Sequence, residues 1–136
     1  MQLIPCLVFN GRCEAAFKFY ERCLGGKIAA LVRHAGTPAE EHVPPEWRDK
    51  IMHVRLIAGE AVLMGADAPP DRYKAPQGFS VSLHPKDPAE ADRVFNALAE
   101  NGTVQMPMQP TFWAVRFGML TDQFGIPWMI NCEHSP

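Results

Sequence analysis

Residues 51–58 read Ile-Met-His-Val-Arg-Leu-Ile-Ala, an apolar run interrupted at alternate positions by an imidazole and a guanidinium. Successive side chains of an extended strand point to opposite faces, so His53, Arg55 and Ile57 share one face and Met52, Val54 and Leu56 the other. The second set is the core set, which turns His53 and Arg55 toward whatever the opposite face lines. There a neutral imidazole can act as a general base or hydrogen-bond donor, and a guanidinium can hold a carboxylate or phosphate. The competing arrangement is a histidine satisfied by a backbone carbonyl and an arginine paired with Asp or Glu. Ser80 and Ser82 alternate with Phe79, Val81 and Leu83 in the same way and are expected to supply hydroxyls to a cavity, unless backbone or water takes them. Neither lies in a G-x-S-x-G turn, so acyl-enzyme chemistry is not expected.

Asn131 lies two residues beyond Met129 and shares its strand face, adding an amide to the same lining. Trp113, beside Thr111, Phe112 and Arg116, is placed to wall a pocket or to fill a core, and Trp47, in a long proline-containing loop, is placed to act as a lid or a dimer contact. Glu40, Glu41 and His42 are adjacent residues on that polar loop and are expected to be solvated rather than to hold a metal.

These residues need a frame. Residues 3–9 are expected to form a strand, followed by a helix over residues 13–24, where Ala16, Phe19, Tyr20, Cys23 and Leu24 recur at helical spacing and Gly25-Gly26 supplies the stop. Strands are expected at 27–33, 51–58 and 60–65, with a loop over 34–50. A turn-rich stretch, 66–77, then leads to a strand at 79–84. Asp87-Pro88-Ala89-Glu90 opens a second helix with a capping aspartate, a proline in the first turn and a glutamate three residues on. Ala91, Val94, Phe95 and Leu98 form its buried stripe, and strands are expected at 103–108, 111–120 and 126–132.

The order βαβββ therefore occurs twice, and the copies align: Glu14-Ala15, Phe19 and Gly26 reappear as Glu90-Ala91, Phe95 and Gly102 at an offset of 90 − 14 = 76. The expected organisation is one α+β domain, residues 1–136, of two βαβββ modules (about 1–67 and about 78–133) joined by a Pro-rich linker. Each module has one helix for one sheet face, which leaves the other face to line a shared cavity. At 136 residues, with 47% hydrophobic and 21% charged residues, one core is the default. A net charge of −2 without basic blocks argues against nucleic acid or an anionic membrane as partner. No apolar run approaches the roughly 20 residues of a membrane span, and no basic segment precedes an apolar one at the N-terminus, so a cytoplasmic protein is expected. Cys6, Cys13, Cys23 and Cys132 show no C-x-x-C spacing and are expected to be reduced thiols.

As a set, Phe9-Asn10-Gly11 with Glu14-Ala15 and Phe19-Tyr20, the run from Trp47 to His53, Met106-Pro107-Met108-Gln109 with Thr111-Phe112-Trp113, and Thr121-Asp122-Gln123-Phe124-Gly125 before Pro127-Trp128 resemble the vicinal oxygen chelate superfamily of glyoxalases, bleomycin-resistance proteins and dioxygenases, and more closely its PhnB-like branch. The resemblance implies paired βαβββ modules whose curved mixed sheets enclose a cavity, and a homodimer. In metal-dependent members four His or Glu ligands stand on the first and fourth strands of each module. Here those positions are expected at Pro5, Met64, Gly78 or Phe79, and Met129, none of them a hard donor, so no metal or other cofactor is expected. Met64 and Met129 then become polarizable cavity lining. The expected activity is binding of a small, partly apolar molecule through Arg55, Ser80, Ser82, Trp113, Met64, Met129, Asn131 and Trp47, with His53 as the candidate catalytic group. The alternatives are a metal-dependent lyase, isomerase or dioxygenase, and a protein that sequesters a drug or metabolite. Some PhnB-like sequences have carried a methyltransferase label; no glycine-rich turn follows a first strand here, so methyl transfer is not expected.

Overall fold

Alternating apolar residues and two amphipathic helices fold into the expected repeat. The computed structural model describes residues 1–134. In chain order the elements are β1 (Cys6–Phe9), α1 (Cys13–Leu24), β2 (Lys27–Arg33), β3 (Ile51–Ala58), β4 (Ala61–Asp67), β5 (Val81–Leu83), α2 (Pro88–Leu98), β6 (Thr103–Gln109), β7 (Ala114–Thr121) and β8 (Pro127–Glu133). They divide into two compact units, Met1–Lys74 and Ala75–Pro136. Each unit holds one four-stranded mixed sheet, ordered β1-β4-β3-β2 in the first and β5-β8-β7-β6 in the second. The first strand of each unit runs parallel to the last, and the remaining pairings are antiparallel. No described helix is long and apolar enough to cross a membrane.

In both units the helix covers one sheet face. Ala16, Phe17, Phe19, Tyr20 and Cys23 of α1 are buried, as are Ala91, Val94, Phe95 and Leu98 of α2. On the strands, Leu7, Phe9, Val54, Leu56 and Leu63 form the matching layer in the first unit, and Leu120, Trp128, Ile130 and Cys132 in the second. Asp87 caps α2 by accepting from the Glu90 amide at 3.3 Å. Gly26 and Gly102 hold the same place: a Cβ on Gly26 would lie 2.6 Å from the Ile57 carbonyl oxygen, and one on Gly102 would lie 2.5 Å from that of Thr121. Backbone approaches backbone too closely there for a side chain, which is why this glycine survives in both copies.

Several boundaries move from their expected places. The first strand starts at Cys6 rather than residue 3, because Pro5 has no amide to extend the ladder, although its carbonyl still accepts from the Met64 N–H at 3.0 Å. The second unit opens only at Val81, after Gly78 has turned the chain at φ +81°. Ala66 and Asp67 finish β4 instead of starting a linker. The strand expected from residue 111 begins at Ala114, since Thr111 and Ala114 close a turn in which the Ala114 N–H donates to Thr111 Oγ1 at 3.1 Å. Ile51, not Met52, joins Val54 and Leu56 in the core, because the pairing slips between Val32 and Arg33. The loop over 34–50 is tied by two short 3-10 turns, Pro38–His42 and Pro45–Trp47.

Candidate functional site

The helix-free faces of the two sheets carry the residues with chemistry to spare. In the first unit, strand register sets Cys6, Met64, Arg55 and Ala30 side by side across β1, β4, β3 and β2. His53 lies two residues before Arg55 on the same face, opposite Val32. His53, Arg55 and Met64 are half-buried. Neither the imidazole of His53 nor the guanidinium of Arg55 has a hydrogen-bond or ion-pair partner among the described residues. Arg33 shows what a structurally committed arginine looks like here: it donates to both carboxylate oxygens of Glu14 on α1, at 3.0 and 2.9 Å. That fork, with Lys18 assisting, holds the Glu14 carboxyl down to about 2.

The corresponding row of the second unit is Ser82, Met129, Met119 and Met106. Beside it, Asn131 stands directly across from Phe117, and the Trp113 ring meets Phe117 edge-on at 5.2 Å and Phe112 at 4.8 Å. A polar chain runs along the same face. Ser82 Oγ lies 2.8 Å from His84 Nε2, His84 Nδ1 lies 3.8 Å from Glu133 Oε1, and Asn131 Nδ2 donates to that oxygen at 3.2 Å. Asn131 is 9% exposed, and its Oδ1 is buried without a hydrogen-bond partner. Among the described residues no other buried side-chain N or O atom is in that position.

The predicted residues therefore fall into groups. Arg55, His53 and Met64 meet on one face, and Ser82, Met129, Asn131 and Trp113 gather on the other sheet's face. Ser80 is half-buried just before β5, outside the ladder. Trp47 packs against the turn into α1, where its ring would lie 3.2 Å from a Cβ on Gly11. Arg116 turns to the helix side and pairs with Asp92 of α2 at 2.9 Å, because its position on β7 has the parity of the core residues. Glu40 ion-pairs with Arg48 at 3.7 Å. His84 and Glu133 went unread in the sequence. The alternation Ser82-x-His84 was the available signal for His84, whereas Glu133 enters only through strand pairing.

Of the positions expected to match metal ligands, Met64 and Met129 lie on strands. Pro5, Gly78 and Phe79 lie outside the strands, and the residues paired with Met64 and Met129 are Cys6 and Ser82. Neither the thiol and thioether of the first unit nor the hydroxyl and thioether of the second belong to the imidazole and carboxylate set that holds a hard or borderline divalent cation. Among the described residues no three His, Cys, Asp or Glu side chains are grouped to hold a metal ion. Burial raises the Cys6 thiol above its ordinary range, which works against its acting as a thiolate ligand.

The model of the Glyoxalase/Bleomycin resistance protein/Dioxygenase superfamily matches residues 2–130. The chain belongs to this superfamily. Within it, the chain is 36% identical over 140 residues to Protein YjdN of Escherichia coli (strain K12), covering 96% of this chain and 95% of that protein. Among solved structures it is similar to protein PA1353 from Pseudomonas aeruginosa, with 48% identity, a TM-score of 0.89 and 99% of each chain covered. A PhnB protein from Bacillus cereus has the same fold, with 22% identity, a TM-score of 0.80, and 97% of this chain and 99% of that one covered. The superfamily's paired βαβββ architecture is thus the fold of this chain.

Proposed function

We propose that this superfamily member binds a small, partly apolar molecule against the helix-free faces of its sheets and does so without a metal. The observation that carries this reading is an uncommitted Arg55 and His53 beside the Met64 thioether on the first unit's open face. A half-buried guanidinium without a counter-charge keeps part of its water and has its donors open to an anion, a place that a ligand carboxylate or phosphate fills. Methionine and ring faces accept a varied apolar body. His53 is the group available as a base, yet no second residue among those described orients its ring, which favours binding over turnover. Sequestration is therefore the preferred form of the proposal.

The methyltransferase name carried by the Bacillus cereus structure does not transfer. That likeness supports the fold alone, and the turn between β1 and α1 here is Asn10-Gly11-Arg12, without the glycine-rich loop of an adenosyl site. Cys6, Cys13, Cys23 and Cys132 are thiols rather than disulfides, which suits a reducing compartment and is in keeping with a cytoplasmic protein. A homodimer is part of the proposal, supported by exposed apolar residues such as Phe112 at 93% and Phe79 at 51%. Light scattering at micromolar concentration checks it, and a monomer removes it.

The main test is thermal shift against a metabolite library, with metal analysis of protein purified without chelator. Hits enriched in acids with an apolar body, on metal-free protein, are expected. Arg55→Met should weaken such a hit about tenfold or more, the scale of a lost charge-assisted contact, while leaving the melting temperature nearly unchanged. A stoichiometric transition metal, or acids that bind Arg55→Met as tightly as the parent, would overturn the reading.

A further inference from the structure

From the second unit's face we infer a recognition subsite for an organic ammonium group, formed by Asn131 Oδ1, the Glu133 carboxylate and the Trp113–Phe117 ring pair. It deepens the reading of the helix-free faces as ligand surface and rests on it.

Much of the donor capacity on this face is already used. Ser82 and His84 Nε2 are 2.8 Å apart; with the Ser82 proton on that bond, His84 carries its own proton on Nδ1, facing Glu133. Asn131 donates an Nδ2 proton to Glu133. Donors are consumed within the chain, and what remains is mostly acceptor: lone pairs on Ser82, the rest of the Glu133 carboxylate, and Asn131 Oδ1. The orientation of the amide is set by the same logic, since a flipped Asn131 would put its oxygen against a carboxylate. A buried carbonyl without a donor is the most costly of these, and it asks for an N–H or O–H from outside.

Charge and shape narrow the donor to an ammonium. The strands of this sheet contain one Lys or Arg, Arg116, and it is committed to Asp92 on the helix side. The helix-free face thus has a carboxylate and no strong cation. Trp113, 42% exposed on the turn before β7, and Phe117, the strand neighbour of Asn131, offer ring quadrupoles of the sign that attracts a cation.

Three small probes with one apolar body test it: benzylammonium, benzyl alcohol and benzoate, titrated by NMR against the intact chain at neutral pH. At Trp113, Phe117 and Asn131, benzylammonium should bind about tenfold or more tightly than benzyl alcohol and benzoate should bind weakest, while any benzoate held by Arg55 shifts the first unit's resonances instead. Asn131→Leu and, independently, Glu133→Gln should each bring the ammonium preference within about threefold. Glu133 is exposed, so its variant folds even if the other does not. Equal binding of the alcohol and the ammonium, or a preference that survives both variants, overturns the subsite while leaving apolar binding intact. A protein for which neither these probes nor any library compound binds fails the wider reading as well.

Discussion

The two units share a strand order and a helix position yet carry opposite chemistry on their open faces. The first presents unspent donors, Arg55 and His53, beside Met64 and Cys6. The second presents unspent acceptors, Asn131 and Glu133, beside three methionines and a ring cluster. What the copies keep is what backbone geometry demands: glycine where strand meets helix end, and phenylalanine at the same point of each helix. What they have mostly lost in common is the open face: Met64 and Met129 hold one place alike, but Cys6, Arg55 and Ala30 stand where the second unit has Ser82, Met119 and Met106. Duplication preserves a scaffold more strictly than it preserves a site.

The units also differ in how a buried carboxylate holds them together, and this difference predicts the largest effect. Asp67 accepts from the Gly11, Cys13 and Ile51 amides at 2.9, 3.0 and 3.0 Å, tying the end of β4 to the start of α1 and of β3. Asp122 instead accepts from the Phe124 and Ile126 amides of its own turn and from the Trp128 indole at the start of β8. Asp67→Ala leaves three amides of distant segments without an acceptor and should cost about 4 kcal/mol. Asp122→Ala should cost about half as much, because a short turn re-forms around water more easily than a junction of three elements. Urea unfolding of both variants checks the order, and an equal or larger loss at Asp122 breaks the contrast.

Next in size is a gain. If the uncompensated amide oxygen of Asn131 is kept for a ligand, removing it should stabilise the free protein, since Leu fills a similar volume without a stranded acceptor. Asn131→Leu is expected to raise unfolding free energy by about 1 kcal/mol while reducing ammonium binding. The equivalent change on the first face, Arg55→Met, should move stability by less than about 0.5 kcal/mol, because a half-buried guanidinium keeps much of its water. A destabilised Asn131→Leu would show that its oxygen is satisfied by something structural, such as a buried water.

Much of this architecture was legible in the chain itself. The βαβββ repeat, both helices and the offset of 76 follow from periodicity and from Gly26 and Gly102, because amphipathic spacing and close backbone approach both leave marks on local sequence. Face assignments for His53, Arg55, Ser82 and Met129 followed from period-two alternation. Strand ends did not, since pairing stops where a partner stops: Pro5 ended one ladder for want of an amide, and the turn closed by Thr111 removed Trp113 from β7. The Glu133 contacts were invisible because they join residues as distant in sequence as 84 and 133. Asp67 could have been noticed, as it has the parity of Leu63 and Gly65 on the core side of β4, where a carboxylate must find donors.

The smallest expected effect distinguishes how each helix is latched to its sheet. In the first unit Glu14 of α1 grips Arg33 of β2 through both oxygens, with Lys18 at 3.3 Å, whereas in the second Asp92 of α2 holds Arg116 of β7. The hydrogen bonds from Arg33, more than the ionic attraction alone, hold Glu14 down to about 2, below the roughly 4.3 of a free glutamate. A carboxyl depressed on folding contributes stability above its unfolded pKa, and that contribution fades as pH falls from about 4.3 through about 2. One-third exposure of the Glu14 side chain leaves the pair open to solvent screening, so the contribution should stay below about 1 kcal/mol. Glu14→Gln should therefore flatten the acid limb of the stability curve between pH 4.5 and 2 and change little at pH 7 beyond that amount. An acid limb of unchanged slope would place the latch of the first unit elsewhere and make the two helices alike in how loosely salt holds them.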